Sequence, residues 1–125
     1  MKADNSKLQL KPRTKQFAIR AIRLVEALPA TRTADVIGRQ LMRSALSVGS
    51  NYRSACRARS RADFVSKLGI AYKEARETSY WLRLLKDTDY LTEPEFLSIY
   101  ADAEELCRII ASIQKSTKAS PHANS

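Results

Sequence analysis

Residues 39–85 read RQLMRSALSVGSNYRSACRARSRADFVSKLGIAYKEARETSYWLRLL. The stretch holds two long helical patterns and almost no breaker. In its second half Phe64, Leu68, Ala71, Ala75, Thr78, Leu82 and Leu85 recur at alternating steps of four and three. That heptad rhythm is the mark of near-parallel helix packing. In its first half Leu41, Ala45, Val48, Tyr52 and Ala55, with Ile37 just upstream, form one apolar stripe. Gly49 interrupts this helix at a cost of about 1 kcal/mol against Ala. A close helix–helix crossing at that point would account for it.

The rest of the chain supplies two more helices. Phe17, Ala21, Leu24 and Leu28 have helical spacing, which predicts a helix over residues 14–28 that Pro29 stops. Thr31 or Thr33 is placed to cap the second helix, and Ser60 the third, with Asp63 at the capping-box position. Thr92, Pro94 and Glu95 open a fourth helix, whose seam is Phe96, Tyr100, Ala103, Cys107, Ile110 and Gln114. Residues 1–13 read as a basic mobile arm, 14–116 as the bundle, and 117–125 as a disordered tail holding the only histidine, His122. The expected fold is all-α, an antiparallel up-down four-helix bundle.

Composition agrees. Three Gly and four Pro in 125 residues disfavour a turn-rich β protein, and 44% apolar residues suffice for a core. No apolar run approaches a membrane span and no secretory signal follows Met1, so a cytoplasmic protein is expected.

Charge is the strongest functional cue. The net charge is +9, and it is uneven: residues 1–61 hold 14 Lys and Arg against 3 Asp and Glu, residues 62–125 hold 8 against 10. Arg39, Arg43, Arg53 and Arg57 share one azimuth of the second helix, with Arg61 just beyond. As one helix this stripe would run roughly 33 Å. A basic stripe of that length fits a nucleic-acid backbone, and a solvated arginine face is the bland alternative. Aromatics do not interleave with the arginines, which favours phosphate contact over base stacking.

Catalytic chemistry is poorly supplied. The three glycines are isolated, the sole histidine lies in the tail, and no Glu-x-x-His pair is present for a di-iron bundle. No catalytic residue, cofactor or metal is expected. Cys56 and Cys107 fall on apolar stripes and read as buried, reduced thiols. Ser44, Ser47 and Asn51 share a side of the second helix beside the core stripe. Glu74 and Glu77 on the third helix are their natural partners in a structural polar layer. Small residues permitting close approach are the alternative. Met42, Leu46, Ile70, Trp81 and Leu84 lie off the main seams, an apolar surplus that predicts an oligomer interface.

The ordered series from Gln40 through Arg43, Ser44, Ser47 and Asn51, then Arg57, Ser60, Phe64, Glu74, Glu77 and Tyr80 to Leu85, resembles the bacterial four helix bundle protein family. That family is also called the 23S rRNA intervening-sequence protein family, because its members are encoded within insertions in 23S rRNA genes. The likeness covers roughly residues 14–115. The family is similar in fold to the accessory variability protein of diversity-generating retroelements, a pentameric basic barrel that binds nucleic acid and a reverse transcriptase. The resemblance implies a homo-oligomer, a pentamer by that analogy, with nucleic-acid affinity, a reverse transcriptase as a further partner and no catalysis. In one respect the chain departs from the pattern: Ser54 and Ala55 stand where many members carry an acid followed by Gly. The competing reading is a structural or protein-interaction module whose basic face meets acidic surfaces, its own Asp102, Glu104 and Glu105 included. No small-molecule substrate and no membrane partner are indicated.

Overall fold

A computed structural model of the chain describes residues 9–119. Most of the expected arm and tail, His122 included, lies outside the described residues. Four helices follow one another: α1 (Leu10–Glu26), α2 (Arg32–Cys56), α3 (Arg61–Asp87) and α4 (Glu93–Lys118). Among the described residues there is no strand.

The helix starts follow local chemistry. Thr31, Ser60 and Thr92 sit in extended backbone ahead of α2, α3 and α4. Each hydroxyl accepts an N–H three residues on, from Ala34, Asp63 and Glu95 at 3.1, 3.1 and 3.3 Å. The Glu95 carboxylate returns a bond to the Thr92 N–H at 2.8 Å, which completes a capping box. α3 ends with Asp89 at φ 68°, the left-handed conformation that lets the Tyr90 N–H reach the Leu85 carbonyl at 2.8 Å.

Two boundaries differ from expectation. α1 begins at Leu10 rather than Thr14, so Leu10–Arg13 are helix and not arm. Pro12 sits in the first turn, where its missing N–H has no intrahelical partner to lose, and Leu10 is wholly buried. α4 continues through Thr117 and Lys118, two residues that the sequence reading placed in the tail.

Neighbours in sequence pack side by side: α1 on α2, α2 on α3, α3 on α4, with α4 closing more sparingly on α1. Cross-contacts fix the antiparallel register. Gly38 faces Val25 and Leu28, Gly49 faces Thr14, Ser44 meets Thr78, and Gln114 meets Val65. A β-carbon on Gly49 would stand 3.2 Å from the Thr14 hydroxyl, so the close crossing is real. The expected α3 seam from Leu68 to Leu85 is fully buried, joined by Phe17, Leu41, Val48, Leu106 and Ile110. Among the described residues no helix is long and apolar enough to cross a membrane.

The two thiols part company. Cys107 is buried, and burial pushes it up to about 11. Cys56 is exposed, contrary to the sequence reading. It is the last residue of α2, at a level beyond the start of α1.

Candidate nucleic-acid interface

The five arginines singled out from the sequence do not form one free stripe. Arg39, Arg43 and Arg53 share the outer face of α2, roughly 21 Å from first to last, and Arg57 caps the helix's C-terminal end. Arg61 is the first residue of α3, across a turn, and does not extend that face. Arg39 pairs with Asp35 one turn back at 2.9 Å. Arg43 is held by two carboxylates of α3, Glu74 at 3.3 Å and Glu77 closer still. Arg53 and Arg57 are exposed and have no ion-pair partner among the described residues.

Glu77 is the hub of the Arg43 clasp. It also accepts the Trp81 indole N–H at 3.0 Å. That bond, together with Arg43, holds its carboxyl below the ordinary range against the opposing effect of burial. The clasp locks α2 to α3 and fixes Trp81. It also occupies a guanidinium that the sequence reading offered to phosphate.

The polar layer is narrower than expected, and its membership differs. Ser44 is fully buried and bonds Thr78 of α3 at 2.9 Å. Ser47 and Asn51 instead turn to their own helix, bonding the carbonyls of Arg43 and Ser47 at 2.8 Å each. Glu74 and Glu77 reach Arg43 and not these residues. Thr78 was legible only as a seam position; its pairing with Ser44 depends on the α2–α3 register.

The apolar surplus is divided as well. Leu46 and Ile70 stand 40% and 44% exposed, and Tyr80, which the sequence reading passed over, 57%. Trp81 and Leu84 are half-buried on the same outer side of α3, and Tyr80 meets Trp81 edge to face. Met42, one turn before Leu46 on α2, is in a hollow of about 220 Å³ at the α1–α2 connection with Val25, Leu28, Pro29 and Arg39.

The α1–α4 seam holds a hollow of about 410 Å³ between Pro12, Arg13, Gln16, Phe17, Asp102 and Leu106. Ion pairs stitch its rim: Arg13 with Glu105, and Arg20 with Asp102. The acids of α4 therefore meet basic residues of their own chain. No nucleophile or histidine lines the hollow, and no metal-capable cluster of His, Cys, Asp and Glu occurs among the described residues.

A family model described as 23S rRNA-intervening sequence protein matches residues 6–112. Among solved structures, the chain is similar to a protein of unknown function from the S23 ribosomal protein family of Bacteroides thetaiotaomicron VPI-5482. The two share 43% identity with a TM-score of 0.80, over 84% of this chain and 97% of that one. No curated protein is detectably similar.

Proposed function

The chain belongs to the 23S rRNA-intervening sequence protein family, and from that premise we propose that it is a non-catalytic nucleic-acid-binding scaffold that works as a closed homo-oligomer. The observation that carries the reading is a surplus of positive charge with no carboxylate to neutralise it. Arg53 and Arg57 project from α2 unpaired, and arginine's fork suits phosphate oxygens. Every other arginine of the expected stripe already has a partner.

Self-association is supported by Leu46, Ile70 and Tyr80, apolar side chains left in water on the outer side of α2 and α3. Five copies is the number that likeness to the retroelement accessory protein implies, and a reverse transcriptase is the partner enzyme it implies. No base-reading element accompanies the arginines, so binding is to the backbone, with little sequence preference. A second reading, a protein-interaction module, is favoured by the occupation of Arg39 and Arg43 by carboxylates. Anisotropy titrations with unrelated duplex RNA and DNA sequences at low salt decide the matter. Comparable binding to all of them is expected; no binding to any would leave the protein-interaction module.

A further inference from the structure

The register of the bundle collects the positive charge at one end. Thr14 faces Gly49, Ser44 meets Thr78 and Gln114 meets Val65. A plane across the bundle therefore passes near Thr14, Gly49, Lys73 and Arg108. From that plane to the end that carries the α2–α3 turn, the described residues hold eleven Lys and Arg and a single acid, Asp63. The other half holds nine against eleven. Sequence alone does not show this, because the end is built from three separated stretches: the start of α1, the end of α2 with the start of α3, and the end of α4.

Pairing sharpens the contrast. In the balanced half Arg20, Arg39, Arg43, Arg76 and Lys86 all reach carboxylates. At the basic end Asp63 is taken by Lys67. Lys11, Arg53, Arg57, Lys115 and Lys118 have no ion-pair partner among the described residues.

We infer that this end, rather than the length of α2, is the surface that seats a phosphodiester backbone; the inference rests on the nucleic-acid reading above. The end's formal surplus of ten charges, of which Arg13 reaches Glu105 in the other half, repels itself and raises the cost of the folded state unless an anion neutralises it. Packed helices stand 8–10 Å apart, so the end is about 20 Å across. A duplex carries one charge per ~1.7 Å, about twelve over that width, which is close to the surplus the end presents. Lysine and arginine from four helix ends suit a regular line of phosphates crossing the end. α2's outer face would supply only its final turns.

Two variants that each lose four positive charges test the placement. One is Arg53→Gln/Arg57→Gln/Lys115→Gln/Lys118→Gln at the basic end. The other is Arg23→Gln/Arg32→Gln/Arg39→Gln/Arg76→Gln in the balanced half. Circular dichroism and light scattering check that both keep the parent's helicity and size. The probes are a labelled RNA duplex and the DNA duplex of the same sequence, titrated across a salt series. The first variant should bind roughly thirtyfold more weakly or worse, with the slope of log affinity against log salt flatter by about three and a half. The second should stay within about threefold of the parent, with a loss of slope under one. RNA and DNA losses of equal size mean the backbone is read as such; a loss confined to one names that nucleic acid as the ligand. Equal weakening by the two variants would show that total charge and not the end matters, and would overturn this inference alone. A parent that binds neither duplex would overturn the nucleic-acid reading and this inference with it. Polyglutamate bound at this end where the duplexes are not would assign it to an acidic protein, which also overturns it.

Discussion

Removing the Ser44–Thr78 hydrogen bond tests how α2 and α3 recognise each other in the core. Both residues are fully buried. Two hydroxyl protons serve three contacts: Ser44 to the Leu41 carbonyl at 3.2 Å, Thr78 to the Glu74 carbonyl at 2.8 Å, and the 2.9 Å bond between them. Thr78→Val keeps the side-chain shape and removes one hydroxyl. Ser44 can then still donate to Leu41, so no donor is stranded, and the loss is one net hydrogen bond, about 1 kcal/mol. Ser44→Ala leaves Thr78 donating to Glu74 and costs about the same. In the double variant both hydroxyl protons are gone, and with them the two hydrogen bonds they can make, so it should cost about 2 kcal/mol, close to the sum of the single losses. For a chain of this size each kcal/mol moves the midpoint by roughly 4 °C. Urea unfolding followed by circular dichroism, at one fixed protein concentration because association would shift the midpoint, reads all four proteins. Single variants that unfold at the parent's midpoint would mean that each hydroxyl is satisfied by its own helix and that the pair does nothing for the α2–α3 register.

Three further outcomes are expected. Gly69→Ala should stabilise by up to about 1 kcal/mol of helix propensity, less the cost of easing back the end of the Gln114 side chain, whose nitrogen the β-carbon would meet at 3.1 Å and which bonds the Val65 carbonyl; Gly49→Ala should gain less or lose, crowded at 3.2 and 3.3 Å by the buried Thr14, and thermal scans that rank the two in reverse would refute the close crossing. Glu77→Gln should be less stable than the parent at neutral pH. Since the folded-state value of Glu77 lies below the ordinary 4.5, its contribution is full above that value and fades as pH falls through the lower one, so the gap between the variants should close in acid, as melting curves across pH would show. In the native protein a thiol reagent at neutral pH should label Cys56 and spare Cys107, whose thiol is both buried and raised to about 11; mass spectrometry of the labelled chain reads the sites.

Most of the fold was legible because each helix states its own case locally. The α3 heptad from Leu68 to Leu85 is buried to the last residue, and Thr31, Ser60 and Thr92 cap where their spacing placed them. Leu10 escaped because residues 1–13 read as a basic arm, although Pro12 in a first turn costs the helix nothing. Cys56 escaped because periodicity marks a face without saying where the neighbouring helix begins. The interface was less legible for the same reason. Arg43 reads as one more arginine until the α2–α3 turn sets it opposite Glu74 and Glu77. The gathering of charge at one end appears only after Lys115 and Lys118 of α4 are brought to the same end of the bundle as Arg53 and Arg57. Azimuth on one helix is written in the sequence, whereas register between helices is not.

The central claim is that unneutralised positive charge on this bundle meets a phosphate backbone, and the salt dependence of binding tests it most directly. Binding of the intact protein to a generic RNA duplex, measured by anisotropy from low to physiological salt, should fall steeply. Four to five phosphates engaged by Lys11, Arg53, Arg57, Lys115 and Lys118 predict a log–log slope of about −4 per protomer. A slope near zero, or affinity that tracks base sequence and ignores salt, would contradict the account.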